Sequence, residues 1–360
     1  MTQLMGPRVL AVPDGMRGVV TATPYRLPGL ASPGSGRIGY PLYDSAQLSL
    51  GGPFTKSHAR ISALALTIAA LGVAATACSS TDATSDSAGS ATRSIETVRG
   101  TVDVPETPLR IVTLEPVELD TTVALGVVPV GTAVLSEASG VPGYLGTEAA
   151  DIATVGTVAE PTIEDIAALQ PDLILGTETR HAEYYDQLAA LAPTVFIASQ
   201  SDPWRDSVQF VGRILGKEAK AEDLLTAYEN RCAEIAEKHD TAGKTAQLIR
   251  PRAGELTLYG PTSFAGSTLE CAGFTTPPRP EWADEISVDL SPELAAEAAA
   301  DLIVVTASDP SDPAAIPASI TANASVLPNP HAVDLSYWIT GVGPMGGQTV
   351  LDDIDRILSE

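Results

Sequence analysis

Lys217-Glu-Ala-Lys-Ala-Glu-Asp-Leu-Leu-Thr-Ala-Tyr228-Glu-Asn-Arg-Cys-Ala-Glu-Ile-Ala-Glu-Lys-His239 divides the chain into halves of similar texture. Its apolar residues Leu224, Leu225, Tyr228 and Ile235 fall near helical spacing. At 1.5 Å per residue a helix over 217–239 is roughly 35 Å long, enough to cross from one lobe to another.

On the N-terminal side, strand-like runs alternate with helical ones. Ile111–Leu114, Val127–Gly131, Asp172–Gly176 and Thr194–Ala198 read as strands. Val117–Leu125, Thr162–Leu169 and Ala182–Leu191 read as helices, and Trp204–Leu215 as a further helix before the long one. Beyond it, Thr245–Arg250 and Glu255–Tyr259 open a second unit of the same kind, which runs to Leu358. Such alternation indicates α/β units with largely parallel sheets. The expected fold is α/β, with two Rossmann-like lobes bridged by a single long helix. An internal echo supports two lobes. Glu164 stands eight residues before Asp172-Leu173-Ile174, and Glu293 eight before Asp301-Leu302-Ile303. Acidic residues favour helix N-termini for dipole reasons, but that preference does not explain the matched distance.

The N-terminal third reads differently. Lys56, His58 and Arg60 form a basic cluster, and Ile61–Ala77 carries no charge, which is the layout of a secretory signal. The apolar run is short for a membrane span. Cys78 follows, then a Ser/Thr/Asp/Ala/Gly stretch with nothing to bury. Ala75-Thr76-Ala77-Cys78 resembles a bacterial lipoprotein signal, with Ala75 where that motif usually carries Leu. The resemblance implies cleavage before Cys78 and lipidation of its thiol, so that several acyl chains anchor the protein to the outer face of the cell membrane. Export signals begin near the N-terminus, so residues 1–55 are expected to be a non-native or untranslated extension. The expected organisation is a signal peptide over 56–77, a flexible tether over 78–97, an N-terminal lobe over 98–203, a helical linker over 204–240 and a C-terminal lobe over 241–360.

The 360 residues hold 21 Lys and Arg against 45 Asp and Glu. After residue 77 the balance is 15 against 43, a net charge of −28, which argues against nucleic acid and anionic lipid as partners. Cys232 and Cys271 remain after Cys78. In an oxidising compartment they pair, or they stay as buried free thiols, and both states are open on the sequence.

Several segments carry a family resemblance. Arg110-Ile-Val-Thr-Leu-Glu115, Ala124-Leu-Gly-Val-Val-Pro-Val-Gly131, Gly156-Thr-Val-Ala-Glu-Pro-Thr-Ile-Glu164, Pro171-Asp-Leu-Ile174, Tyr259-Gly-Pro-Thr-Ser-Phe264 and Trp338 through Pro344 occur in order. Together they resemble the ferric-siderophore-binding lipoproteins of ATP-binding-cassette importers, the helical-backbone or class III group of periplasmic binding proteins, over residues 98–360. The resemblance implies a ligand in the cleft between lobes, no permanently bound cofactor, and an Fe(III)–siderophore complex as cargo. It implies a permease dimer with its ATPase as partner, met by one glutamate per lobe, Glu164 and Glu293. A bulky chelate with exposed oxygens calls for aromatic surface and arginine donors. By family position these are Arg180, Arg250, Arg252, Trp282 and Trp338, with Tyr144 and Tyr259 as further candidates. Pro116 departs from relatives with an aromatic residue near the cleft, and Glu115 is an unusual neighbour for an anionic ligand. Both favour a neutral or cationic chelate such as a hydroxamate, without ranking it above a catecholate.

Rival readings find less support. His181, His239 and His331 are the histidines after residue 77, and the chain has no His-Glu-x-x-His, Gly-x-Ser-x-Gly or Gly-x-x-x-x-Gly-Lys, so an enzyme has no motif to rest on. Capture of a bare Zn or Mn ion needs converging His and carboxylates, and three scattered histidines do not supply them. Haem or cobalamin on the same scaffold is the alternative ligand class, being also large and flat.

Overall fold

The computed structural model describes residues 91–360 apart from Asp284. It opens with a hairpin, β1 (Thr92–Thr97) antiparallel to β2 (Gly100–Pro105). Residues 92–97 are therefore strand, a correction to the tether expected over 78–97. Ile95 and Val104 explain it: both are buried in the main core, and a hairpin needs such packing to be stable.

The N-terminal lobe contains β3 (Ile111–Thr113), α1 (Pro116–Ala124), β4 (Gly131–Val134), β5 (Ala153–Thr157), α2 (Ile163–Ala168), β6 (Leu173–Thr177), α3 (Glu178–His181), α4 (Tyr185–Ala189) and β7 (Thr194–Ile197). Its five strands are all parallel, in the order β5-β4-β3-β6-β7. Every residue of β3, β4, β6 and β7 is buried, as expected of strands covered on both faces. Two elements differ from the sequence reading. The strand expected over Val127–Gly131 instead occupies Gly131–Val134, because Pro129 has no N–H for a ladder. The helix expected over Ala182–Leu191 is broken: α3 precedes it, 182–184 form a 3-10 turn, and α4 follows. His181 causes the break by turning its ring back onto the Thr177 N–H, 3.0 Å away.

Two linking helices follow, α5 (Trp204–Leu215) and α6 (Glu218–His239). α5 stops at Gly216 in the left-handed conformation, a common helix terminator. α6 buries Ala221, Leu225, Tyr228, Cys232 and Ile235 along one stripe, and at 22 residues it is roughly 33 Å long.

The C-terminal lobe contains β8 (Ala246–Arg252), β9 (Glu255–Tyr259), α7 (Phe264–Cys271), β10 (Ser287–Leu290), β11 (Leu302–Ala307), α8 (Ala318–Thr321), β12 (His331–Asp334), α9 (Leu335–Trp338) and α10 (Pro344–Ser359). The strand order β10-β9-β8-β11-β12 repeats that of the first lobe, strand for strand. The pairing differs: β8, β11 and β12 are parallel, whereas β9 runs antiparallel to both its neighbours. The two-residue turn Ala253-Gly254 causes this, since φ is +51° and +88° there, the mirror-image turn that closes tight hairpins.

The echoed aspartates have matching jobs. Asp172 accepts from the backbone N–H groups of Leu109 and Arg110 at 2.8 and 2.9 Å, just before β3. Asp301 accepts from the Thr245 N–H at 2.8 Å, just before β8. In each lobe the residue ahead of the fourth strand ties down the entry of the central one. One core cluster runs through α5, α6, α7 and α10 and contains Trp204, Tyr228 and Trp338. α6 is fastened to α10 by Asp355, which accepts from Arg231, Lys238 and His239 at 3.0, 2.7 and 2.6 Å. A Cys232–Cys271 disulfide joins it to α7, resolving the choice the sequence left open.

Candidate functional site

The cleft between the lobes holds a cavity of about 320 Å³. One wall comes from the N-terminal lobe: the β3–α1 turn, α3, and the loop after β7. The other comes from β8, the β9–α7 turn and the segment between α9 and α10. Trp204 of α5 closes the back. A second chamber of about 560 Å³ adjoins it and shares Pro116, Leu135 and Thr340 with the first.

Arg180 reaches this cavity from α3 and pairs with Glu115 at the mouth of α1, its Nη1 lying 2.8 and 3.1 Å from the two carboxylate oxygens. Glu115 is only 2% exposed. Burial pushes its carboxyl up to about 7 despite the pull of Arg180. Glu115 occupies the N-cap position of α1 without capping it. Glu118 reaches back past the N-cap to the Leu114 N–H at 3.3 Å, an amide that also donates to the Leu175 carbonyl at 3.0 Å. Glu118 is fully buried, and burial with the adjacent Glu115 raises its carboxyl well above the ordinary range. α3 is braced by the neutral His181 ring, whose Nδ1 accepts from Thr177 and whose Nε2 donates to the Val158 carbonyl at 2.9 Å. Burial lowers the affinity of that ring for a second proton. On the outer side, Arg99 of the hairpin turn grips Glu178 at 2.6 and 2.7 Å and lies over the Tyr185 ring.

From the opposite wall, Arg250 and Arg252 stand two apart on β8 and so share a face. Both line the cavity. Arg250 lies 3.4 Å from the Tyr259 hydroxyl, and Arg252 makes a half-exposed pair with Asp289 at 3.5 Å. Tyr259 also lines the cavity.

The aromatic candidates divide. Trp338 is at the cavity wall yet fully buried, its indole N–H donated to Asp353 at 3.0 Å. Trp282 is not among the cavity-lining residues: it packs over the backbone of Gly260, where a Cβ would meet its ring at 2.5 Å, and donates to the Pro277 carbonyl. Tyr144 is likewise outside the cavity, with its hydroxyl beside Asp120 and its ring edge-on to Tyr337. Neither of these two rings lines the cavity, where the resemblance placed aromatic ligand contacts. Their rings are taken up by packing, which family position does not reveal. Glu164 and Glu293 are both exposed, the first in the opening turn of α2 and the second in the 3-10 turn 292–298. Each turn lies immediately ahead of the fourth strand of its lobe. Cys78 lies outside the described residues.

Sequence reasoning passed over the acidic content of α1. Seven consecutive residues of that helix, Val117–Val123, are buried, Glu118 and Asp120 among them. Two carboxylates inside an otherwise apolar segment were the available signal.

A two-lobed α/β molecule with one bridging helix and a ligand-sized interlobe cavity has the architecture of a class III solute-binding protein. The chain belongs to the periplasmic binding protein family, whose model matches residues 111–325. It is 34% identical over 205 residues to the probable siderophore-binding lipoprotein YfiY of Bacillus subtilis, over 56% of this chain and 63% of that protein. With the Fe(3+) dicitrate-binding periplasmic protein FecB of Escherichia coli it shares 29% identity over 56% of this chain and 68% of the relative. The matched stretch thus spans less than two thirds of the YfiY protein. Among solved structures, Staphylococcus aureus SirA complexed with staphyloferrin B is similar at a TM-score of 0.63 and 28% identity, over 74% of this chain and 98% of the other.

Proposed function

We propose that the protein is an extracytoplasmic solute-binding lipoprotein that captures a ferric siderophore in the interlobe cleft and delivers it to an ATP-binding-cassette permease for iron uptake. The observation that carries this reading is the convergence of Arg180, Arg250 and Arg252 on one cavity in a chain whose acidic residues outnumber its basic ones by 24. A chelate displaying carboxylate, catecholate or hydroxamate oxygens matches such donors, because guanidinium forks bind paired oxygens bidentately. The names of the relatives support an iron chelate over other cargo. Catalysis is not assigned, since the family is one of binding proteins.

In this reading Arg180 exchanges Glu115 for oxygens of the chelate, Arg250 and Arg252 close on it from the other lobe, and Tyr259 offers its hydroxyl. The ligand is cargo, and the protein adds no chemistry to the metal. Glu164 and Glu293 are the paired knobs for a two-fold permease, and a lipid anchor at Cys78 keeps capture and handover on one membrane surface. Trp204 and Trp338 at the cavity wall make intrinsic fluorescence the assay. Titration with ferric citrate, a ferric hydroxamate, a ferric catecholate, haemin and cobalamin is expected to show saturable quenching by one class of ferric chelate. Flat traces for every ferric chelate overturn the reading, and quenching by haemin or cobalamin alone replaces it.

A further inference from the structure

The two walls of the cleft are joined beneath it by one carboxylate. α10 begins Gly343-Pro344-Met345-Gly346, and its N-cap residue, Gly343, has no side chain to cap with. Pro344 carries no N–H, so the first amides needing an acceptor are those of Met345 and Gly346. Both are served from the other lobe. Asp120 of α1 accepts from Met345 through Oδ1 at 2.9 Å and from Gly346 through Oδ2 at 2.7 Å. Asp120 is fully buried, with the Tyr144 hydroxyl facing it. The carboxyl group also faces the positive end of a 16-residue helix, which favours its ionised form.

Gly343 is shaped to this arrangement. A Cβ there would lie 2.3 Å from Asp120 Oδ1, and its φ of +153° is one that other residues rarely adopt. Any side chain at 343 would push the cap out. Tyr144 adds a second contact between lobes, its ring packed edge-on to Tyr337 at 6.3 Å. The latch lies at the cleft itself. α1 is entered through Glu115 and Pro116 on one wall, and the approach to α10 through Trp338 to Val342 forms part of the other.

We propose that Asp120 is an interlobe latch: by capping α10 from the opposite lobe it adds a directional polar bridge to the apolar core the lobes share and sets how far the cleft opens. The lobes also share the apolar core that runs through α1, α5, α6, α7 and α10; such packing is non-directional, whereas the two hydrogen bonds from Asp120 fix how α1 and α10 sit against each other. Asp120 is thus a positioning residue for the cleft, and the lifetime of a bound ligand depends on it. That last consequence rests on the proposed function, but the latch itself does not.

The test separates the two. Spin labels are attached through p-acetylphenylalanine at positions 164 and 293, one exposed site per lobe, and their distance distribution is measured in the unliganded protein. Asp120→Asn is expected to broaden the distribution, and Tyr144→Phe to broaden it less. Asp355→Asn, which loosens α10 from α6 without touching the other lobe, is expected to leave it narrow. An unchanged distribution in Asp120→Asn and Tyr144→Phe, or equal broadening in Asp355→Asn, overturns the latch. Stopped-flow dissociation of ferric citrate gives the second readout: release from Asp120→Asn is expected to be about tenfold faster, the change that loss of a charge-assisted hydrogen bond carries. Broadening without ferric citrate binding in the unaltered protein leaves the latch standing and counts against the proposed cargo alone.

Discussion

Replacing Glu115 with Gln tests the cleft electrostatics most directly. The carboxyl is 2% exposed and burial raises it from 4.5 to about 7 despite Arg180. For a group whose folded value lies above its unfolded one, the unfolded chain releases the proton first. The contribution to stability is therefore complete below pH 4.5 and is lost as pH rises through about 7. A difference of about 2.5 units corresponds to roughly 3 kcal/mol, at 1.36 kcal/mol per unit. Gln copies the protonated form, so Glu115→Gln is expected to match the unaltered protein near pH 4.5 and to exceed it by up to about 3 kcal/mol at pH 8. In a domain of this size that is a rise of roughly 6–12 °C in Tm.

Differential scanning calorimetry at pH 4.5, 6, 7 and 8 on both proteins measures the effect. Asp120, also raised to about 7 by burial, contributes a parallel decline to both curves, and the difference between them reports Glu115 together with its repulsion of Glu118. The same substitution frees Arg180 for anionic oxygens, so ferric citrate is expected to bind roughly tenfold more tightly at pH 7.5, the gain of one charge-assisted contact. A difference in Tm that stays constant across the pH range, or a variant less stable at pH 8, refutes the reasoning, since either result means the carboxylate is not desolvated.

Loss of the Cys232–Cys271 bond, which closes a loop of 39 residues, is expected to lower stability by about 4 kcal/mol on chain-entropy grounds, read by urea titration of the double Ser variant. Arg180→Ala leaves Glu115 buried without its partner, and it is expected to weaken ferric chelate binding in the fluorescence titration and to steepen the loss of stability above pH 6. Glu164→Ala and Glu293→Ala are expected to abolish iron uptake in cells while leaving chelate affinity unchanged; a matching loss of affinity would mean they serve the cleft. Cys78→Ser is expected to release the protein from the membrane fraction.

The two-lobe architecture was legible because it rests on local signals: apolar runs for strands, 3.6-residue spacing for α6, and a matched Glu–Asp interval in each half. Elements whose ends are decided by a single side chain were not. Pro129 moved one strand and His181 broke one helix, and neither effect shows in periodicity. The cleft was legible in part for a related reason. Arg180, Arg250, Arg252 and Tyr259 stand near strand ends, where an α/β fold exposes side chains to a cleft. Trp282 and Tyr144 are indistinguishable from such residues in sequence, because an aromatic ring reads the same whether it faces a ligand or covers a glycine.

What the sequence hid most completely is the acidity of α1. Glu115, Glu118 and Asp120 are each at least 98% buried, and each is held by something different: an arginine at the cleft, the Leu114 N–H just after β3, and the first turn of a helix in the opposite lobe. Burying one carboxylate is unfavourable unless its partners are supplied, so three within six residues mark a helix whose placement is dictated by what it connects. Glu115 tunes the charge of the cavity, Glu118 pins the turn that leads into the helix, and Asp120 ties the same helix to the far wall. A ligand that draws Arg180 away from Glu115 therefore acts on the element that also joins the lobes, which gives the cleft a direct physical route from ligand contact to lobe geometry without a flexible strand hinge.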